Sequence, residues 1–445
     1  MKRQSQIALL FAVFAFAMSA ALCQAQVRGN GLISRSMARS LGLERSWFAQ
    51  IDLDPSRDRV EAVVIYQPGS LQDSVAHDDV GLAEGAQGVE QGVVSVDDTT
   101  EVVQGEAAAT PTEDAALNRA TVYVLTRQSV LHSVDAETGR TNWVRVVGNP
   151  KRPVEAPVAN RQYVAMVNGS DLFVMDRGTG ETLWQVRLHS APVAPLAIGA
   201  KWVYVPGADG AMTAFNIDNP EEKWGYASGA PVEFSPVVTN ETVSWQTRYG
   251  RLFIADKVST RVTRRFDGTD VAATRPVYWP PYIYVATRNG YVSAVHERNG
   301  LAIWRFASGS TIYEPPVAVE DSLFVVTSQG GLFSLNSAGA QNWYRAGITQ
   351  FVAASPGRVY GIDSINQLVA LDRTTGLPVG AISLVDQQIR LCNQVNDRIY
   401  VCTEKGLLHC LHEIGQEEPA IHMPPAPESA DGVDDAAAGN AGVDG

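Results

Sequence analysis

The sequence predicts an all-β fold, an eight-bladed β-propeller of four-stranded antiparallel blades closed by its N-terminal strand. Three ladders of residues repeat along the chain with one spacing, mostly 40 or 41 residues. They are a short apolar strand, a proline that precedes it and a tryptophan that follows it. Because the three ladders are independent but share one period, they indicate a repeat architecture.

The apolar ladder has eight members, and their β-branched and aromatic residues favour extended structure. The members are Val122-Tyr123-Val124, Tyr163-Val164-Ala165, Val203-Tyr204-Val205, Val243-Ser244-Trp245, Ile283-Tyr284-Val285, Phe324-Val325-Val326, Val359-Tyr360-Gly361 and Ile399-Tyr400-Val401. One member for each repeat predicts one such strand in each of eight blades.

The proline and tryptophan ladders mark the two ends of each repeat. Proline is tolerated where a strand begins, and tryptophan offers a large apolar face for packing between blades. The prolines are Pro157, Pro195, Pro236, Pro276, Pro316 and Pro356. The tryptophans are Trp143, Trp184, Trp224, Trp304 and Trp343, and Phe266 is predicted to fill the one gap between them.

Two turn signals divide each repeat into four short strands. Glycine, which accepts positive φ at low cost, follows the apolar strand at Gly210, Gly250, Gly290, Gly330 and Gly406. A second turn carries Thr138-Gly139, Thr179-Gly180, Asn299-Gly300 or Thr375-Gly376. The acidic residue before it, at Asp135, Asp176 and Asp372, is predicted to cap the turn amides.

The eighth repeat ends at Ile414 without its last strand, and the missing strand is predicted at the other end of the chain. Residues 47–53 resemble a tryptophan strand that has no blade before it. Residues 59–66 then begin the first blade. Sharing one blade between the termini would leave no open gap in the ring. The alternative is a seven-bladed ring with one degenerate unit.

Residues 1–25 are predicted to be a signal peptide, with a basic start, an apolar stretch over residues 7–18 and cleavage after Ala25. Ala21 is an alternative cleavage site. Acylation at Cys23 is the alternative, but the bulky Leu22 before it disfavours a lipoprotein. No later segment is apolar for long enough to span a bilayer. We therefore expect a Sec-exported protein of the periplasm or cell envelope, soluble or peripheral to the membrane.

The net charge of -13 is concentrated in two acidic segments. Residues 69–118 form an insertion in the first blade, and residues 415–445 form a tail. Both are expected to be disordered because they lack aromatic residues and periodicity. A 26–45 lead and a propeller over 46–414 complete the predicted domains. The propeller itself is close to neutral, which argues against nucleic acid as a partner.

One basic cluster, at Arg248, Arg251, Lys257, Arg261, Arg264 and Arg265, is predicted to be a solvated blade face. Cys392, Cys402 and Cys410 are the three cysteines after the signal. An odd number gives no complete disulfide framework, so we favour small buried side chains. The alternative is one disulfide between neighbouring strands. The spacing of cysteines and histidines indicates no metal site.

The order of a glycine turn, an alternating strand, Asp, Thr-Gly and Trp resembles the pyrroloquinoline-quinone-type propeller repeat. Residues 170–184 and 366–376 carry the best matches. One branch of that superfamily contains quinoprotein dehydrogenases, and the other resembles BamB, a noncatalytic propeller of outer-membrane protein assembly. Eight blades and export favour the BamB-like branch. The poor lipoprotein signal and the acidic insertion depart from it.

The resemblance implies a scaffold that binds other envelope proteins, with no catalytic, cofactor or metal residues. The quinoprotein branch implies a calcium site, a catalytic Asp and commonly adjacent cysteines, and this sequence has no adjacent cysteine pair. No nucleophile elbow or phosphate-binding glycine loop is present. The alternatives are a quinone-dependent dehydrogenase-like propeller and a ligand-binding sensor.

Four aromatic residues that interrupt the repeat are the candidates for partner contact: Trp279, Tyr282, Tyr313 and Phe351. Function tends to lie on loops held by a rigid scaffold. The alternative is that these aromatic side chains close the central channel. A partner could also add a strand to an exposed blade edge.

Overall fold

The computed structural model describes residues 31–75, 118–268, 270–384 and 386–425. These residues form eight four-stranded antiparallel sheets and two short helices. Each sheet is one blade, so the predicted eight-bladed propeller is confirmed. The predicted signal peptide and most of both acidic segments lie outside the described residues.

The first four blades follow one another along the chain, with strands in sequence order from the channel outward. Blade 1 contains β2 (Val60–Tyr66), β3 (Thr121–Thr126), β4 (Val130–Asp135) and β5 (Thr141–Val146). Blade 2 contains β6 (Val158–Ala159), β7 (Tyr163–Asn168), β8 (Asp171–Asp176) and β9 (Thr182–Arg187). Blade 3 contains β10 (Ala197–Ile198), β11 (Trp202–Pro206), β12 (Ala211–Asn216) and β13 (Lys223–Ala227). Blade 4 contains β14 (Val237–Val238), β15 (Thr242–Gln246), β16 (Arg251–Asp256) and β17 (Val262–Asp267).

The remaining blades complete the ring. Blade 5 contains β18 (Val277–Trp279), β19 (Tyr282–Ala286), β20 (Tyr291–His296) and β21 (Ala302–Ala307). Blade 6 contains β22 (Val317–Val319), β23 (Ser322–Thr327), β24 (Gly331–Asn336) and β25 (Gln341–Ala346). Blade 7 contains β26 (Ile348–Ala354), β27 (Arg358–Asp363), β28 (Gln367–Asp372) and β29 (Pro378–Ser383). Blade 8 contains β30 (Ile389–Arg390), β31 (Ile399–Cys402), β32 (Leu407–Glu413) and β1 (Leu43–Gln50).

Blade 8 is closed by the N-terminal strand, as predicted. β1 pairs antiparallel with β32 and places Trp47 opposite Cys410. The strand lies over Leu43–Gln50, earlier than the predicted 47–53, because the preceding residues also find partners. Helix α1 (Arg35–Ser40) leads into it, and the Leu41 carbonyl accepts a hydrogen bond from Arg358 of blade 7 at 2.9 Å. Part of the predicted lead is therefore packed against the ring.

Burial differs between the middle and the fourth strands, which we call the outer strands. The second strand of blade 1, β3, is buried at every residue, whereas the outer strand β9 alternates between exposed and half-buried residues. Middle strands are covered on both faces by neighbouring blades, so most of their residues are apolar and buried. Outer strands meet a neighbour on one face only, which produces the alternation.

Tryptophans of the outer strands join several blades to the next blade. Trp143 of blade 1 donates its indole N–H to the Arg177 carbonyl of blade 2 at 2.9 Å, and its ring covers Gly180. A Cβ on Gly180 would lie 2.6 Å from that ring, so glycine is required there. Equivalent contacts join Trp47 to Ala136, Trp304 to Ser337 and Trp343 to Arg373. We call this unit the tryptophan junction.

The turns follow the predicted chemistry. The five predicted glycines, from Gly210 to Gly406, have positive φ. The Asp135 carboxylate accepts from the amide of Thr138 at 2.8 Å, and Asp176 and Asp372 cap their turns in the same way. These Asp residues therefore act as turn caps, as the sequence predicts.

Two members of the ladders were assigned wrongly. Arg264, and not Phe266, takes the tryptophan position of blade 4, because it pairs with Ile254 as Trp304 pairs with Ala294. Pro356 follows the first strand of blade 7 instead of preceding it. Arg264 lies 40 residues from both Trp224 and Trp304, so the period itself points to it and not to Phe266. In blade 7 the first strand lies earlier in the sequence, so that it ends before Pro356.

Candidate functional site

The ring has two faces, and the side that carries the start of the acidic insertion is called the insertion face. It bears the turns between the first and second and between the third and fourth strands, residues 239–241 and 257–261 in blade 4. The opposite side, the loop face, bears the other connections, such as residues 247–250. First strands run from the loop face to the insertion face and line the central channel.

The four predicted partner residues do not share one surface. Trp279 is buried and donates to the Glu320 carbonyl at 2.8 Å, and Phe351 is buried and stacks on Phe324. Neither ring is exposed, because both residues belong to strands that neighbouring blades cover. Tyr282 is half-buried opposite Trp279 near the insertion face. Tyr313 is 66% exposed on the loop face, and a partner contact there stays a prediction.

The insertion begins as an ordered element across the mouth of the channel. Residues 69–75, predicted as part of the disordered segment, form a turn and helix α2 (Leu71–Val75). Asp73 accepts hydrogen bonds from the Tyr66 hydroxyl and the Gly69 amide. The buried Lys257 of blade 4 donates to the Val75 carbonyl at 3.0 Å. Helix α2 therefore crosses the mouth from blade 1 to blade 4.

The start of the C-terminal tail lies on the same face. His422 donates its backbone amide to the Val395 carbonyl at 2.9 Å, and Arg398 donates to the Gln416 carbonyl at 2.7 Å. Burial lowers the pKa of the His422 imidazole to about 4, so it is neutral at physiological pH. Both acidic segments of the sequence thus leave the described part of the chain at the insertion face.

The central channel encloses a cavity of about 370 Å³. Its wall is formed by first-strand residues of blades 1–5 and 8 and is capped by Leu71 and Val75 of α2. Arg275 at the start of β18 is the one Asp, Glu, Lys or Arg side chain in this lining. Desolvation lowers the pKa of Arg275.

Arg275 is recognisable in the sequence as a departure from the proline ladder. The residue before each ladder proline is small or apolar at Ala156, Ala194, Ser235 and Pro315, and only Arg275 is charged. A departure from a repeat at one position of one blade marks a residue that the fold itself does not require.

The cysteines divide into one channel residue and two core residues. Cys402 and Cys410 are buried in the blade 8 core, and Cys392 is exposed and lines the channel. All three are free thiols, so the alternative of a disulfide is wrong. Burial raises the pKa of each core thiol to about 12. The Cys392 thiol also has a pKa raised to about 12 by desolvation, although Arg275 acts in the opposite direction.

The outer strands expose large apolar side chains beside backbone groups that no fifth strand pairs. Each described blade except blade 4 carries at least one on its outer strand. They are Phe48, Val144, Val146, Leu183, Tyr226, Ile303, Tyr344 and Val379. Blade 4 instead carries Arg264 and Arg265 on its outer strand.

The predicted basic cluster lies on blade 4 and is partly a solvated face. Arg248 pairs with Glu233, and Arg251 and Arg265 both pair with Asp267 at exposed positions. Lys257 departs from the expectation, because it is buried under α2. Exposed ion pairs of this kind contribute little stability, so their role is to keep the surface polar.

Within residues 31–75, 118–268, 270–384 and 386–425, no group of three or more His, Cys, Asp or Glu side chains could hold a metal ion. No helix in these ranges is long and apolar enough to cross a membrane.

Solved structures with the same fold differ widely in sequence. BamB from Moraxella catarrhalis superposes with a TM-score of 0.54 at 16% identity, covering 66% of this chain and 91% of that chain. The C-terminal WD40 domain of Sif2 gives a TM-score of 0.53 at 11% identity, covering 66% and 92%. At these identities the likeness establishes the propeller fold alone.

Sequence comparison is more specific. Outer membrane protein assembly factor BamB of Shewanella oneidensis is 25% identical over 245 residues, which are 46% of this chain and 57% of that protein. The same factor of Yersinia pestis is 24% identical over 267 residues, 53% of this chain and 67% of that protein. The match therefore spans less than two thirds of the Shewanella protein. The profile of the family described as outer membrane protein assembly factor BamB matches residues 151–264 and 268–390, more than half of the chain. This chain belongs to that family of propellers with pyrroloquinoline-quinone-type repeats.

Proposed function

We propose that the chain is an exported, noncatalytic scaffold that binds envelope proteins during outer-membrane protein assembly. Its family and the names of its relatives support this role. The observation that carries the proposal is the set of outer strands with exposed apolar side chains and unpaired backbone edges. An extended segment of an unfolded β-barrel protein can add to such an edge.

Strand addition suits a client of variable sequence. Backbone hydrogen bonds supply affinity that does not depend on side chains, and the exposed side chains of the outer strand supply a shallow apolar contact. Ile303, for example, is 51% exposed on β21, while the next residue, Trp304, is fixed to blade 6 by its junction. The edge is therefore held rigidly before a partner arrives, which lowers the entropic cost of binding.

The direct test measures binding of a urea-unfolded outer-membrane β-barrel protein after dilution, with an unfolded helical protein as the reference. Val146→Lys, Leu183→Lys, Ile303→Lys and Val379→Lys each place a charge on one outer strand, singly and together. Val258→Lys is the matched control, because Val258 is 84% exposed on a turn of blade 4. We expect the edge variants to weaken binding and the control to leave it unchanged. Equal binding of the barrel and the helical protein would overturn the proposal.

Export is part of the same proposal and has its own test. Cleavage after Ala25 leaves a mature chain that begins at Gln26. Mass spectrometry of the protein from the envelope fraction of its source bacterium should give this N-terminus. A chain that begins at an acylated Cys23 would instead establish a lipoprotein, and an uncleaved chain in the cytoplasm would refute export.

A further inference from the structure

We propose that the central channel is a binding site for an amphipathic organic anion, with the carboxylate at Arg275 and the apolar tail directed toward helix α2. This site is independent of the blade edges on which the scaffold role rests. Three features of the cavity support it: one cation, mostly apolar walls and a far end covered by helix α2.

The cation is Arg275. Its guanidinium makes no hydrogen bond or ion pair with any residue that the structure describes, and desolvation lowers its pKa. The Arg275 side chain is exposed and lines the cavity, and its planar donor groups match a carboxylate. Arg275 also acts electrostatically on Cys392 of blade 8, another lining residue, so its charge is felt inside the cavity.

The walls between Arg275 and the insertion face are mostly apolar, with the uncharged polar side chains of Gln72 and Gln394 near the insertion face. Blades 2 to 5 contribute the first-strand residues Val158, Ile198, Val238 and Val277. No aspartate or glutamate is part of the lining. The carboxylate that acts on the Cys392 thiol is Glu314, which is outside the lining and whose own pKa is raised by burial. The lining itself therefore carries one positive charge and no negative charge.

The far end of the cavity is closed by α2, which presents Leu71 and Val75. Arg275 lies where β18 begins at the loop face, and Trp279 lies where β18 ends at the insertion face. The four-residue step along the strand from Arg275 to Trp279 spans roughly 13 Å. The cavity of about 370 Å³ is within the range of small-ligand sites. The cavity thus has its one charged side chain toward the loop face and mostly apolar walls, which suits a medium-chain fatty acid.

The test compares three probes of one length: decanoate, decanol and decyltrimethylammonium. Isothermal titration of the full chain should show decanoate binding about tenfold more tightly than decanol, since a charge-assisted contact is worth that much. Arg275→Gln should abolish the preference for the anion. Arg288→Gln, at an exposed arginine on a turn of the same blade, is the control and should keep it.

Cys392 gives a second readout, because it is the one exposed cysteine of the described chain. Decanoate should slow its modification by a small neutral thiol reagent, followed by mass spectrometry. Equal affinity for decanoate and decanol, an unchanged preference in Arg275→Gln, or binding without protection of Cys392 would each overturn the proposal. Loss of barrel-protein binding at the edges would leave these results unaffected.

Discussion

The junction between blades 5 and 6 and the junction between blades 3 and 4 are built from the same repeat but are held in different ways. At the first, Trp304 covers Gly339 and donates to the Ser337 carbonyl at 2.9 Å. At the second, the Trp224 indole N–H is buried and finds no acceptor among the described residues. The turn there carries Thr260 at φ 54°, where the turns that face Trp47, Trp143, Trp304 and Trp343 have glycine.

A complete tryptophan junction has three parts: the indole, the glycine that it covers and the carbonyl that accepts its N–H. Between blades 3 and 4 the glycine and the hydrogen bond are both absent, whereas Trp184 of blade 2 still donates to the Ile217 carbonyl at 2.6 Å across a turn without glycine. Blade 4 has lost its own tryptophan as well, because Arg264 now faces Gly300. In compensation, Lys257 of the irregular turn holds helix α2. The same turn that weakens one contact between blades thus anchors the cap of the channel.

The largest expected effect is on the regular junction. Gly339→Ala would place a Cβ 2.5 Å from the Trp304 ring at φ +78°, and we expect a loss of about 3 kcal/mol in unfolding free energy. Gly309→Ala is the control, because φ is +72° and no atom lies within 4 Å of its Cβ. It should cost only about 1 kcal/mol. Urea denaturation measures both, and equal losses would contradict the role of the ring contact.

Truncating the indole should affect the two junctions unequally. Trp304→Phe removes packing and a satisfied hydrogen bond, so we expect a loss of about 2 kcal/mol. Trp224→Phe removes an N–H that is already unpaired, and its loss should be smaller by about 1 kcal/mol. Denaturation midpoints of the two variants, measured under the same conditions, show whether Trp304→Phe loses more stability than Trp224→Phe. A larger loss for Trp224→Phe would show that its N–H has a partner in the folded protein.

Placing a tryptophan on the outer strand of blade 4 should create a regular tryptophan junction between blades 4 and 5. Arg264→Trp places an indole over Gly300, and by register its N–H would reach the Glu297 carbonyl as Trp304 reaches Ser337. We expect a gain of about 1 kcal/mol. The Gly300→Ala change should cost at least 1 kcal/mol more in the Arg264→Trp background than in the parent. Additive effects of Arg264→Trp and Gly300→Ala on the unfolding free energy would mean that the new indole does not pack on Gly300.

The smallest effect is expected at Thr260. A side chain at φ 54° is strained, so Thr260→Gly should stabilise the protein by about 0.5 kcal/mol after the entropic cost of glycine is subtracted. Thr260→Ala keeps a Cβ in the same conformation and should give no gain. Thermal unfolding of the two variants distinguishes relief of strain from removal of the hydroxyl.

Most of the ring could be predicted from the sequence, because each blade repeats one pattern of turns and apolar strands. Errors arose where a blade departs from that pattern. Phe266 lies two residues beyond Arg264, and only Arg264 keeps the 40-residue spacing from both Trp224 and Trp304, in agreement with the strand register. Helix α2 was missed because it is one short apolar turn at the start of an acidic segment.

The candidate sites were less accessible to sequence analysis. Trp279 and Phe351 interrupt the repeat and yet are buried, because contact with the next blade depends on packing between segments distant in sequence. The exposed row on the outer strands could not be assigned before the face of each strand was known. Arg275 could have been found, since it is the one charged residue before a ladder proline.

The pairing of β1 with β32 has a consequence for the order of folding. Trp47 and Cys410 meet only when the last blade has left the translocation or synthesis machinery, so the first strand must wait for almost the whole chain. Such a distant contact is slow to form, and until then the partner edge of β32 is unsatisfied. Blades 1 to 7 can assemble from local contacts as they emerge. The final closure is then a single late step, and a chain shortened at either end would stop just before it.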